Sequence, residues 1–222
     1  MNKSIVITGA TGVLGNLAAI TFAGMGHNLA LLDKDQKKLD TLVADLNLPS
    51  ERIFAQTVDL LDGQALQDSA SAVVKKFGSV HALFHLVGGW VGGKTFVETP
   101  AEELEFMVNQ HIRTTFNLFK SFSTPLASND WGRVIIVSAS TVANPPGKSA
   151  VYTAAKAAQE NMALSLAAEL KDAKVTANII HVRAIDVENK GTGTAPKAIV
   201  ATMQYLFSDE AGKVNGARIP LY

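Results

Sequence analysis

Seven apolar runs separated by helix-like stretches set the frame for this chain. Ser4–Thr8, Asn28–Leu32, Arg52–Val58, Val80–Val87, Arg133–Val137, Val175–His181 and Ala217–Leu221 are rich in Val, Ile and Leu and lack polar alternation. That pattern belongs to strands covered on both faces. Helix candidates fill the intervals near 13–25, 35–46, 62–77, 100–126, 150–170 and 195–207. Strand and helix in strict alternation predict an α/β protein, a doubly wound parallel sheet between two helical layers. No linker or internal repeat divides residues 1–222, so a single three-layer α/β/α domain is expected. Several ends are legible. Thr99-Pro100-Ala101-Glu102 reads as a helix start, with Thr99 as the cap and Pro100 at the first helical position. Gly26 and Gly78 read as helix stops.

The turn after the first strand carries the first chemistry. Gly9, Gly12 and Gly15 fall in Thr8-Gly9-Ala10-Thr11-Gly12-Val13-Leu14-Gly15, between strand and helix. Glycine lets the backbone turn tightly and lets a pyrophosphate approach closely, and the helix start offers free amides. Asp33 ends the second apolar run, 18 residues past Gly15. A carboxylate there accepts from ribose hydroxyls and repels a 2′-phosphate, which favours NAD over NADP. The adjacent Lys34 leaves NADP open, and the competing reading of Asp33 is a solvated turn and helix cap. Asp59, after the third strand, suits the adenine amino group or else caps the next helix. Gly88, after the fourth strand, keeps side chains off a bound cofactor or simply makes a turn. Thr11, Leu14, Lys34 and Leu60 complete the candidate cofactor-binding set, and the whole describes a Rossmann-type site.

Tyr152 and Lys156 lie four apart on a predicted helix and share one face. A nearby ammonium favours phenolate and lowers the tyrosine pKa, which suits general acid/base work. The lysine also suits ribose hydroxyls. Trp90, in Leu86-Val87-Gly88-Gly89-Trp90-Val91-Gly92-Gly93, offers a flat face to a planar substrate or packs its own loop. His85 and His111 lack a third ligand at metal-site spacing, so no metal is expected.

Together these residues resemble the short-chain dehydrogenase/reductase family, from Thr8 to Pro220. The glycine spacing 9, 12, 15 matches the extended branch, whereas length and the Tyr-x-x-x-Lys context match the compact one. The resemblance implies hydride transfer between a nicotinamide cofactor and a carbonyl or alcohol. Tyr152 would be the acid/base, Lys156 its partner, Asn109 the helix-kinking residue that holds a relay water, and Ile185 a nicotinamide contact. The family's serine falls on Ala139, leaving Ser140 first and Thr141 second as replacements, with Ser138 on the other side. Its Pro-Gly after the sixth strand is replaced by Val182-Arg183, and residues 181–194, with Gly191 and Gly193, read as a short flexible lid. The Gly-Gly-Trp-x-Gly-Gly run resembles dihydropteridine reductase locally, as does Ala139. The alanine-rich stretch Ala154–Ala168 suits close helix contact, and by resemblance a homodimer or homotetramer.

Composition narrows the partners. Formal net charge is +0 and no Lys/Arg block is present, which argues against nucleic acid or an anionic membrane. No apolar run is long enough to span a bilayer. Cysteine is absent, and Met1-Asn2-Lys3-Ser4 runs directly into the first strand, so a cytoplasmic protein acting on a small molecule is expected. The rival reading is a non-catalytic dinucleotide-binding sensor or scaffold, supported by Ala139 and the short lid.

Overall fold

The computed structural model describes residues 2–188 and 190–222; Met1, and Asn189 within the 181–194 segment, lie outside them. One seven-stranded sheet runs through the molecule in the order β3-β2-β1-β4-β5-β6-β7, every neighbouring pair parallel. The strands are β1 (Ser4–Thr8), β2 (Asn28–Asp33), β3 (Ile53–Thr57), β4 (Ala82–His85), β5 (Gly132–Ala139), β6 (Val175–Val182) and β7 (Arg218–Pro220). All residues of β1 and β6 are buried, as unbroken apolar runs require. Helices α1 (Val13–Gly24), α2 (Gln36–Leu46) and α7 (Pro196–Phe207) supply one core, with Phe22, Leu39, Met203 and Phe207 against Ile5, Leu31 and Phe84. Helices α3 (Gly63–Phe77), α5 (Thr114–Ala127) and α6 (Ala150–Glu169) cover the other face, with Leu66, Leu118, Phe122 and Leu166 against Val6, Leu83 and Val134. Among the described residues no helix is long and apolar enough to cross a membrane.

The order reverses between β1 and β4, which places a ligand crevice beyond the carboxyl ends of these strands. The expected helix over 100–126 is interrupted. It forms α4 (Ala101–Met107), a π turn over Val108–Arg113, and then α5. The π turn is closed by Thr114 N–H donating to the Asn109 carbonyl five residues back. The helix start also differs from expectation. Pro100 is the cap residue, and the Thr99 hydroxyl donates back to Thr95 O at 2.8 Å instead of capping forward. The Gly78 stop is present, at φ +77° with its N–H on Val74 O.

Candidate active site

Gly9 turns the chain at φ +69°, and its N–H donates to Leu32 O at 3.0 Å, so the turn folds back across β2. Gly15 has no room for a side chain: a Cβ there would lie 2.1 Å from Gly9 O. Its role is the close seat of α1 on the turn. Gly12 is different, since a Cβ would meet only Gly9 O, at 3.3 Å, and the residue faces a cavity.

That cavity, of about 590 Å³, lies beyond the carboxyl ends of β1 to β4. It is lined by Gly9, Thr11, Gly12, Asp33, Lys34, Asp59, Leu60 and Gly88 of the expected cofactor set. Lys38, Val87, Gln110 and Thr114 also line it, and the sequence reading missed them. Gln110 and Thr114 carry a weak signal, two polar residues four apart just after Asn109. Leu14, Gly15, Tyr152, Lys156 and Ile185 of the expected set are not in the lining; Leu14 is buried in the core. A glycine-walled cavity that also carries Asp33, Asp35 and Asp59 fits a dinucleotide, and its volume is in the usual range for a ligand pocket.

The Asp33 carboxylate accepts from Thr11 N–H at 2.9 Å, Thr11 Oγ1 at 2.8 Å and Lys34 N–H at 2.8 Å. It braces the glycine turn as well as facing the cavity, and the α2 cap is Asp35 instead. Asp59 accepts from Leu61 N–H at 2.9 Å, while the α3 cap is Asp62. Neither carboxylate is used as a helix cap.

Tyr152 and Lys156 lie one turn apart at the start of α6. Lys156 is buried, and its Nζ donates to Val137 O and Gln159 Oε1, each at 2.9 Å. Burial lowers its pKa to about 8, against the pull of Glu160. Burial pushes the half-buried Tyr152 phenol up, which corrects the expected depression. The reason is desolvation: the phenol is taken out of water, and that disfavours the charged phenolate.

The residue of the π turn that meets Tyr152 is His111, two positions beyond Asn109. Its ring is edge-on to the tyrosine, centroids 6.0 Å apart. Nε2 donates to Gly89 O at 3.0 Å, so His111 joins the Gly88-Gly89 segment to Tyr152. Burial and Lys156 drive its pKa down to about 4. It is therefore neutral near pH 7, with Nδ1 buried and unpaired. Asn109 lies on the same turn with its Oδ1 buried and unpaired.

At the end of β5, the Ser138 hydroxyl donates to the buried Glu160 Oε1 at 2.6 Å, a carboxylate that also meets the buried His181 and the exposed Arg218. Ser140 opens a 3₁₀ turn over Ser140–Val142. Thr141 Oγ1 is buried without a partner. Trp90 is largely exposed, and its ring leans over Gly92, where a Cβ would lie 2.9 Å from Cζ2. Gly93 N–H donates to Lys148 O at 2.8 Å, tying this loop to the one that leads into α6.

The segment after β6 is better tied than its glycines suggested. Ile185 bridges Thr194, whose N–H donates to Ala184 O at 2.7 Å and whose hydroxyl donates to Leu221 O at 2.7 Å. The buried Asp186 carboxylate accepts from Lys190 and Gly191 N–H. Gly193 serves close packing, since a Cβ would lie 2.6 Å from Ala184 O.

A family model described as short chain dehydrogenase matches residues 3–197. The chain is 25% identical to a 3-oxoacyl-(acyl-carrier-protein) reductase of Mycobacterium tuberculosis, covering 100% of this chain and 92% of that protein. It is 26% identical to a meso-2,3-butanediol dehydrogenase of Serratia marcescens, over 99% and 93% of the two chains. The crystal structure of a sorbitol-6-phosphate 2-dehydrogenase from Erwinia amylovora superimposes with a TM-score of 0.90 at 18% identity, covering 98% of this chain and 97% of that one.

Proposed function

Since the chain belongs to the short-chain dehydrogenase family and is an oxidoreductase dependent on a nicotinamide cofactor, we propose that Tyr152 is its general acid/base. The substrate we propose is a ketone or the corresponding secondary alcohol, the chemistry shared by the two curated relatives' names. The observation that carries this reading is the convergence at Tyr152: Lys156 one helical turn away, and His111 linking the tyrosine ring to Gly89, the residue after the cavity-lining Gly88.

The cavity residues hold the dinucleotide in this proposal. Gly9, Thr11 and Gly12 take the pyrophosphate, Asp33 the adenosine ribose, Asp59 and Leu60 the adenine, and Gly88 the floor. Leu14 and Gly15 support the turn from beneath, and Ile185 contacts the nicotinamide end. When bound, the nicotinamide gives or takes a hydride. Tyr152 Oη donates a proton to the substrate oxygen on reduction and takes it back on oxidation. Lys156, whose pKa of about 8 leaves it mostly charged near neutral pH, stands one helical turn from the phenol as its cationic partner. Asn109 holds water behind the lysine. Thr141, with its unpaired hydroxyl, moves ahead of Ser140 as the group that orients the carbonyl. Trp90 forms the substrate wall.

NAD is the proposed cofactor, on the strength of Asp33; Lys34 and Lys38 on the same wall make NADP the second reading. The alanine-rich α6, with the exposed Leu104, Phe106 and Phe116 nearby in sequence to Asn109, supports a homodimer or homotetramer. A cytoplasmic location and the absence of a metal, nucleic-acid or membrane partner belong to the same proposal and rest on composition. The test is oxidation of NADH and of NADPH against a panel of 3-oxoacyl thioesters, vicinal diketones and a quinonoid dihydropterin. Turnover of a ketone with NADH preferred supports the reading. Turnover of the pterin alone replaces the substrate class, and a preference for NADPH replaces the cofactor.

A further inference from the structure

Behind Lys156 runs a line of buried polar side chains that the reaction described above does not use. Gln159, 1% exposed, accepts from Lys156 Nζ through Oε1, and its Nε2 donates to Thr115 Oγ1 at 2.9 Å. Thr115 meets His85 Nε2 at 3.0 Å, and His85 Nδ1 meets Thr8 Oγ1 at 2.8 Å. Thr8 is the last residue of β1, directly before Gly9. A buried amide between helix and sheet is costly unless both its ends are bonded. Here both are, and the orientation is forced: turning the amide over would set its NH₂ against an ammonium. Neutral His85 completes the line in either tautomer.

An ammonium has three N–H groups. Val137 O and Gln159 Oε1 take two of them. We propose that Gln159 is a positioning residue for hydride transfer: it fixes the rotation of the Lys156 ammonium so that the remaining N–H faces the Tyr152 side. Thr115 and His85 anchor that rotation to Thr8 at the foot of the nucleotide turn. The proposal rests on the role given to Lys156 above, but the clamp itself is measurable without turnover. The charged and titratable groups around the ammonium are Tyr152 and Glu160 on α6, His85 on β4 and His111 on the π turn. Glu160 attracts it, and the two histidines are uncharged near neutrality.

The experiment uses full-length protein labelled with 13Cε-lysine, the Lys156 resonance being assigned by its loss in Lys156→Arg. Its titration midpoint is followed in wild type, Gln159→Met and Gln159→Glu. The wild type is expected to titrate at about 8. Removal of the acceptor in Gln159→Met moves the midpoint down by about one unit, and an anionic acceptor in Gln159→Glu moves it up by about one unit or more. With the best ketone of the panel, kcat of Gln159→Met falls by about tenfold to hundredfold while cofactor affinity holds, and Gln159→Glu restores most of it. An unchanged midpoint and kcat in Gln159→Met overturns the proposal. If that variant does not fold, the absence of an upward shift in Gln159→Glu overturns it. If instead the clamp is seen but Lys156→Met turns over like wild type, the role of Lys156 falls and the clamp is only structural.

Discussion

Three acceptor positions of the Asp33 carboxylate are engaged within the protein, two by Thr11 and one by the Lys34 N–H. The side chain is thus held at a fixed angle on the cavity wall, where its charge meets whatever the adenosine ribose carries. Asp33→Ala removes both the acceptor and the repulsion of a 2′-phosphate. The NADH over NADPH preference is expected to relax by about tenfold to hundredfold, read from quenching of tryptophan fluorescence in cofactor titrations. The identity of this residue was legible because an acid at the end of a second buried strand has a fixed place relative to a glycine turn. Its bracing of Thr11 was not, since sequence spacing says nothing of where a carboxylate points. His111 shows the same limit. A histidine two residues beyond Asn109 gave no reason to expect contact with Tyr152, because the π turn shifts every later residue around the helix axis.

At the scale of elements, the first βα turn is a packing device before it is a binding device. Gly15→Ala places a methyl 2.1 Å from Gly9 O, against backbone that cannot move without opening the turn. A loss of about 3 kcal/mol or more in urea unfolding is expected, together with weaker cofactor binding. An alanine tolerated without loss would show that α1 does not seat on this turn as described. Strands and helices were legible nearly to their ends because unbroken apolar runs and strict alternation leave few other arrangements. The break between α4 and α5 was signalled only by the resemblance that makes Asn109 a helix-kinking residue, because 100–126 has an unbroken helical pattern and a π turn costs only one inserted residue. The segment after β6 misled for a related reason. Gly193 signals freedom in sequence, but it is there to let Ala184 O approach, and the Asp186 carboxylate closes the turn on two backbone amides.

The molecule as a whole buries two neutral imidazoles, His85 and His111, where the two halves of the sheet meet. His85 is driven down to about 3, by burial first and then by Lys156 and His111; His111 is driven down to about 4. Both lie below the ordinary 6.5, so the unfolded chain takes up protons that the folded one refuses. Stability is therefore full above about pH 6.5 and falls as the pH drops toward these values. Each histidine contributes a loss of about 2 kcal/mol between about pH 7 and about pH 5, measurable by urea unfolding at the two pH values. Glu160, held below its usual range by bonds from His181, Ser138 and Arg218 despite burial, adds to the loss at lower pH. His111→Phe removes its share of the slope, and a wild-type stability independent of pH over this range would contradict the burial described. All of the function assigned to this fold depends on one phenol, that of Tyr152. The direct measurement is kcat and cofactor Kd for Tyr152→Phe beside wild type, with the best ketone of the panel. A fall in kcat of about a hundredfold or more with Kd unchanged is expected. A variant that turns over like wild type would contradict the account.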